Sequence, residues 1–187
     1  SALTDADKAA FTSDAGYGKA YMGDKRVLFV NGTHNHPICG ASCGHNGTHG
    51  DEEWIGVSDL TDIKAAGYYY LTADAWWNGP WMPVDGVALC LNGHSIKRAY
   101  SDGNAIIVNS GTTFTLTECS DSQNTHKFGK DENGRWELDS NGVTVTGGVI
   151  YLGSSSTKRL EGHGVSVNGG TFNMYGGTIC GCGTVDS

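Results

Sequence analysis

HGVSVNGGTFNMYGGTI (His163–Ile179) makes a poor helix: its apolar residues alternate, Val165 with Val167, Phe172 with Met174, then Ile179. Alternation of period two marks strands with one buried face. Gly169-Gly170 and Gly176-Gly177 cut these strands to three or four residues. Paired glycines supply the positive-φ corners that let a chain turn between short sheets.

The same pattern recurs. GVTVTGGVIYLG (Gly142–Gly153) aligns with GVSVNGGTFNMYG (Gly164–Gly176) at a spacing of 22 residues, matching Val143 with Val165, Val145 with Val167, Ile150 with Phe172 and Leu152 with Met174. AIIVNSGTTFTLTE (Ala105–Glu118) fits with Thr113 as one inserted residue, placing Ile106, Val108, Phe114 and Leu116 at those positions. VALCLNGHSI (Val87–Ile96) reads as a fourth, more divergent copy. A repeat in the low twenties with internal bends predicts an all-β parallel β-helix, or β-solenoid, whose coils stack equivalent residues into ladders. The alternative is an antiparallel β-sandwich; in-register spacing of whole two-strand units favours the solenoid. The organisation expected is an N-terminal cap over 1–56 and the β-helix over 57–187, with an insertion at about 120–140.

Composition excludes several functions. Glycine contributes 29 of 187 residues, about twice the usual ~7%, yet only 3 prolines accompany it, which excludes collagen-like and Pro-rich chains. A net charge of -8 disfavours nucleic acid and anionic membrane as partners. No apolar run approaches the ~20 residues of a membrane span. SALTDADKAAF lacks the regions of a signal peptide, so a mature or excised chain is expected.

GTHNHPICGASCGHNGTHGDEEW carries the strongest chemical signal: His34, His36, Cys39, Cys43, His45 and His49 within sixteen residues. Zinc takes thiolate and imidazole four at a time, and Cys-x3-Cys with His-x3-His supplies them from one loop. The expected set is Cys39, Cys43, His45 and His49, with His34 or His36 able to substitute. Four protein ligands leave no open position, which makes the site structural. The competing reading is a Cys39–Cys43 disulfide with solvated histidines. Cys90 and Cys119 end apolar segments and are read as small hydrophobes stacked in neighbouring coils. Cys180 and Cys182 lie too close for an easy mutual bond.

YYYLTADAWW, ALCLNGHSI, GTTFTLTECSD and GGTFNMYGGTI, over about residues 68–182, together with the His/Cys-rich stretch ahead of them, resemble the Gly-rich segments of large cell-surface, adhesin-like proteins of anaerobic Gram-positive gut bacteria. The resemblance implies a right-handed parallel β-helix, an extracellular place on the bacterial surface and membership of a longer multidomain chain. An anaerobic surface offers little oxidising machinery, which tilts the cysteine-rich loop toward metal. Residues 1–30 carry no such resemblance.

Two surfaces are candidates for a partner. THKFGKDENGRWELDS alternates Phe128, Trp136 and Leu138 around Asn133-Gly134, a two-residue hairpin signal. This hairpin is either a plain decoration with Trp136 folded back onto the core, or a binding loop anchored by Phe128, Arg135 and Trp136. GYYYLTADAWWNGPW is either the lid of the first coil or a sugar platform built on Trp76, Trp77 or Trp81. The chain contains no G-x-S-x-G, H-E-x-x-H or Walker loop. Among its 20 acidic residues, Asp51-Glu52-Glu53 reads as a solvated run, while Asp102, Glu118, Asp121 and Asp139 are dispersed.

The expected function is therefore non-catalytic adhesion to a host or matrix protein, immunoglobulin or mucin among them, or to a glycan. A passive stalk segment and a polysaccharide-acting β-helix enzyme are the alternatives. The last strand, followed by no polar cap, predicts further coils or another domain after it.

Overall fold

The computed structural model describes residues 19–21, 27–29, 34–39, 52–98, 103–119, 124–130, 136–138, 141–152 and 161–184. The chain divides into two compact units, Ser1–His34 and Asn35–Ser187. In the first, β1 (Lys19–Tyr21) and β2 (Val27–Phe29) pair antiparallel, Ala20 opposite Leu28. The division falls inside β3 (His34–His36), a strand of the largest sheet, and the strand is treated whole with that sheet.

The second unit is all β, as the alternation predicts; its helical content among the described residues is one 3₁₀ turn, Leu60–Asp62. In chain order come β4 (Glu52–Val57), β5 (Gly67–Leu71), β6 (Ala75–Trp77), β7 (Val87–Cys90), β8 (Ser95–Arg98), β9 (Ile106–Asn109) and β10 (Thr113–Thr117). After these come β11 (Thr125–Lys130), β12 (Trp136–Leu138), β13 (Val143–Thr146) and β14 (Val149–Leu152). The chain then forms β15 (Glu161–Gly162), β16 (Val165–Asn168), β17 (Thr171–Met174), β18 (Thr178–Ile179) and β19 (Gly183–Thr184).

These strands sort into sheets by a recurring order. One sheet runs β17-β10-β7-β5-β4-β3, a second β18-β14-β8-β6 and a third β16-β9. The pairs joining β4, β5, β7, β10 and β17 are parallel, as are those joining β6, β8, β14 and β18, and the β9–β16 pair. An antiparallel sandwich has no such pairing. Trp81 extends the third position by a parallel bridge to Ile106. The small β15–β19 pair is antiparallel.

Register follows the sequence copies in part. Val165 and Val167 stand beside Ile106 and Val108, while Phe172 and Met174 stand beside Phe114 and Leu116, as the alignment of those copies requires. Val87 and Leu89 stack on the other side of Phe114 and Leu116. The copy at 142–153 behaves otherwise. Its β13 runs antiparallel to β11, pairing Val143 with Phe128 and leaving Val143 68% exposed. Its β14 pairs with β8 and β18 rather than with β17. A nearby antiparallel strand closes a short loop at low entropic cost, so local pairing captures β13 before the distant parallel partner does.

The 120–140 insertion contains the strands of the expected hairpin, and the expected Asn133-Gly134 turn lies outside the described residues. β11 and β12 pair Phe128 with Leu138 and Lys130 with Trp136, a register centred on Asn133. Residues 131–135 lie outside the described residues.

Alternation gives the six-stranded sheet two buried faces. Val57, Tyr69, Leu71, Val87, Leu89, Phe114 and Leu116 point into the main core, where Ile96, Ile106, Val108, Ile150 and Leu152 meet them from the other sheets. Phe114 sits between Trp81, edge-on at 5.4 Å, and Phe172, stacked at 5.7 Å. Fully burying side chains of this size contributes about 1.5–3 kcal/mol each. Trp54, Tyr70, Ala88 and Cys90 face the opposite way and form a second, smaller cluster.

The Gly-Gly pairs divide their labour. At Gly176-Gly177, the second residue takes φ 84°, while a Cβ on the first would come within 2.8 Å of both the Cβ and the backbone nitrogen of Glu118. One glycine turns the chain and the other lets neighbouring segments approach.

Candidate metal centre

The second cluster positions the chemistry. β7 ends at Cys90, whose side chain is fully buried, and β10 is followed two residues later by Cys119. Parallel register sets Thr117 beside Cys90, and Cys119 Sγ lies 3.2 Å from Cys90 Sγ. Neither thiol is in a disulfide. β3 brings His34 and His36 to the same place, so that one ligand atom from each of His34, His36, Cys90 and Cys119 falls within 4.8 Å of the others. A tetrahedral zinc with bonds of about 2.0–2.3 Å spaces its ligand atoms about 3.3–3.8 Å apart. The four ligand atoms lie close enough together to be candidates for holding such an ion.

Neighbours orient the histidine. His36 Nδ1 lies 2.7 Å from the Pro37 carbonyl, an acceptor only, so Nδ1 carries the proton and Nε2 presents its lone pair. Trp54 stacks on the imidazole at 4.2 Å and donates its indole N–H to the His36 carbonyl at 2.9 Å. Burial lowers the His36 pKa, but hydrogen bonds to Cys119 and to the Pro37 carbonyl, with the nearby charges of Cys119 and Glu118, reverse this and raise it overall. Burial, then the hydrogen bond to Cys119, pushes the Cys90 thiol well above its usual range. Without a cation it is a protonated thiol and a poor nucleophile; a bound metal inverts that balance and deprotonates it.

Glu118 fixes the loop that carries Cys119. Its carboxylate accepts from the backbone N–H of Gly93 (2.9 Å), Cys119 (2.9 Å) and Gly148 (2.5 Å), tying together the segments after β7, after β10 and before β14. Asn92, at φ 49°, turns the corner after Cys90 and donates to the Leu71 carbonyl at 3.0 Å. The hydroxyl of Thr117, fully buried, makes no hydrogen bond among the described residues. Register places it on the same face as Cys90.

The expected ligands meet this geometry unevenly. His34 and His36, read as substitutes, are in the cluster, whereas Cys39 is buried but stands outside the four. Cys43, His45 and His49 lie outside the described residues. Cys90 and Cys119 do pack together in the second apolar cluster, as expected of small hydrophobes, and the same placement makes them candidate ligands beside His34 and His36.

The expected partner surface is also redistributed. Trp81, with 4% exposure, belongs to the main core, and Phe128, with 2%, packs against Val149 and Tyr151. Neither presents a surface, because the parallel stacking and β11 carry them inward. Trp77 packs partly against the main core, and Trp76 is exposed. Trp136 lies in β12. Arg135 lies outside the described residues.

No family model, curated protein or solved structure matches the chain. No helix among the described residues is long and apolar enough to cross a membrane.

Proposed function

We propose that this chain is a non-catalytic binding module of a bacterial cell-surface protein: a right-handed parallel β-helix whose N-terminal strand is pinned by a structural zinc ion. The observation that carries the reading is the convergence of His34, His36, Cys90 and Cys119 from three separate stretches of sequence. Two thiolates and two imidazoles saturate a tetrahedral zinc and leave no position for water or substrate, so the site holds the fold rather than performing a reaction. The parallel pairs recurring in three sheets support the solenoid architecture. A rigid acidic scaffold suits display of a binding surface toward a host or matrix protein or a glycan.

The metal's contribution is large on the scale of one domain. Structural zinc sites bind with about 10 kcal/mol or more at neutral pH, and that energy becomes folding energy. The strand it anchors is three residues long and cannot be fixed by burial alone.

The test is zinc competition against a chromophoric chelator. Cys90→Ser and Cys119→Ser should each lose at least a hundredfold in affinity, while Cys39→Ser and Cys43→Ser retain it. The reverse pattern would return the site to the Cys39–His49 loop. The binding reading is tested by retention on immobilised mucin, matrix proteins, immunoglobulins and glycans; no retention on any of them would leave only a spacer.

A further inference from the structure

The outer face of the four-stranded sheet carries an aromatic–cation row that the metal centre does not use. Ladder register sets Trp76 beside Lys97 and Lys97 beside Tyr151. The Lys97 ammonium stands 5.5 Å from the Trp76 ring centre and 5.9 Å from that of Tyr151. β6 holds the indole outward: Ala75 on one side and Trp77 on the other pack toward the main core, while Trp76 stays 70% exposed. Tyr151 is buried beneath Phe128, whose ring meets it edge-on at 5.1 Å. The face thus presents Trp76 and Lys97, with Phe128 of β11 covering Tyr151 beside them. At its other side the exposed Asp74 carboxylate accepts the Ser95 N–H at 2.8 Å and faces His94 at 3.5 Å.

A flat indole of this exposure matches the C–H face of a sugar ring. The ammonium beside it is a fixed positive charge in a chain of net charge -8. That combination selects a sugar bearing a carboxylate: the ring stacks while the acid makes a charge-assisted hydrogen bond. A protein partner would need a wider apolar patch than one indole and half of a lysine. Asp74, exposed at the edge of the face, supplies an acceptor for a hydroxyl.

We propose that Trp76 and Lys97 form a binding site for an acidic oligosaccharide. The site rests on the binding-module reading and gives it a ligand class.

The experiment is calorimetric titration of the full, zinc-loaded chain with three acidic probes: an oligogalacturonate, a hyaluronate oligomer and a sialylated trisaccharide. At least one should bind, and its methyl ester should bind about tenfold more weakly, the worth of one charge-assisted hydrogen bond. Lys97→Gln should reduce acid binding to the level of the ester and leave ester binding unchanged. Trp76→Ala should abolish both, with zinc content and thermal midpoint unaltered because the side chain is exposed. Binding unaffected by Trp76→Ala, equal binding of acid and ester, or no binding of any probe would overturn the site. Retention on a protein in the absence of glycan binding would overturn the glycan site alone. Absence of both would overturn the module reading as well.

Discussion

Replacing Glu118 by Gln tests whether one carboxylate holds the Cys119 loop in place. The two oxygens accept from Gly93, Cys119 and Gly148, all within 2.9 Å. An amide keeps one oxygen and turns the other into a donor. Whichever way it faces, the N–H of Cys119 or of Gly148 then points at another N–H. A stranded N–H costs about 1–3 kcal/mol, and the remaining bonds lose their charge assistance. The half-buried setting lets water recover part of this, so the expected loss is about 2–3 kcal/mol. That is a large share of the 5–15 kcal/mol typical of a domain. Urea denaturation with zinc present reads the midpoint, which should fall at unchanged slope. Glu53→Gln, on an exposed position of β4, is the control and should stay within about 0.5 kcal/mol. Zinc affinity should fall with stability, because the loop that aims Cys119 is loosened. A Glu118→Gln midpoint equal to that of the control would refute the clamp.

Other outcomes follow from the same contacts. Gly148→Ala should cost about 2–4 kcal/mol, since its Cβ would collide with the Leu91 Cβ, Glu118 Oε2 and, at 2.9 Å, the His94 carbonyl; Gly79→Ala, with open space around it, should be neutral in the same thermal melts. Thr117→Val should leave the metal-free protein as stable or more stable, because it removes a buried unpaired hydroxyl. If that hydroxyl donates to the Cys90 thiolate when zinc is bound, the same change should weaken zinc binding about tenfold in the chelator competition, and unchanged affinity would remove the hydroxyl from the site. Burial, then the Asp74 charge, lifts the Tyr151 phenol to about 12, above its ordinary 10.0. The folded state therefore holds that proton longer than the unfolded one, so this contribution to stability is complete below pH 10 and is lost as pH rises from about 10 to 12. Tyrosinate absorbance should show a late-titrating phenol that Tyr151→Phe removes, and a Tyr151→Phe titration identical to wild type would contradict it.

Alternating residues made the sheets legible from sequence, because a buried face imposes period two whatever its partner. The pairs Val165–Ile106 and Phe172–Phe114 could be read directly. Val143 and Val145 carry the same alternation but stand beside β11, since the pattern reports a strand and not its neighbour. The candidate metal centre was half legible. His34 and His36 announce themselves by spacing, whereas Cys90 and Cys119 are separated from them by more than fifty residues and meet them only through strand stacking. A signal existed: the two cysteines end segments that the repeat alignment places in adjacent strands. Two thiols in neighbouring strands, with unassigned histidines upstream, could have been joined to one site.

X-ray absorption at the zinc edge, on protein purified without chelator, tests the central claim most directly. The account predicts one zinc per chain, with two sulfur ligands at about 2.3 Å and two nitrogen ligands at about 2.0–2.1 Å, a signal that Cys90→Ser with Cys119→Ser abolishes and Cys39→Ser leaves intact. Protein free of metal, with a mass two hydrogens light from a Cys90–Cys119 bond, would contradict it.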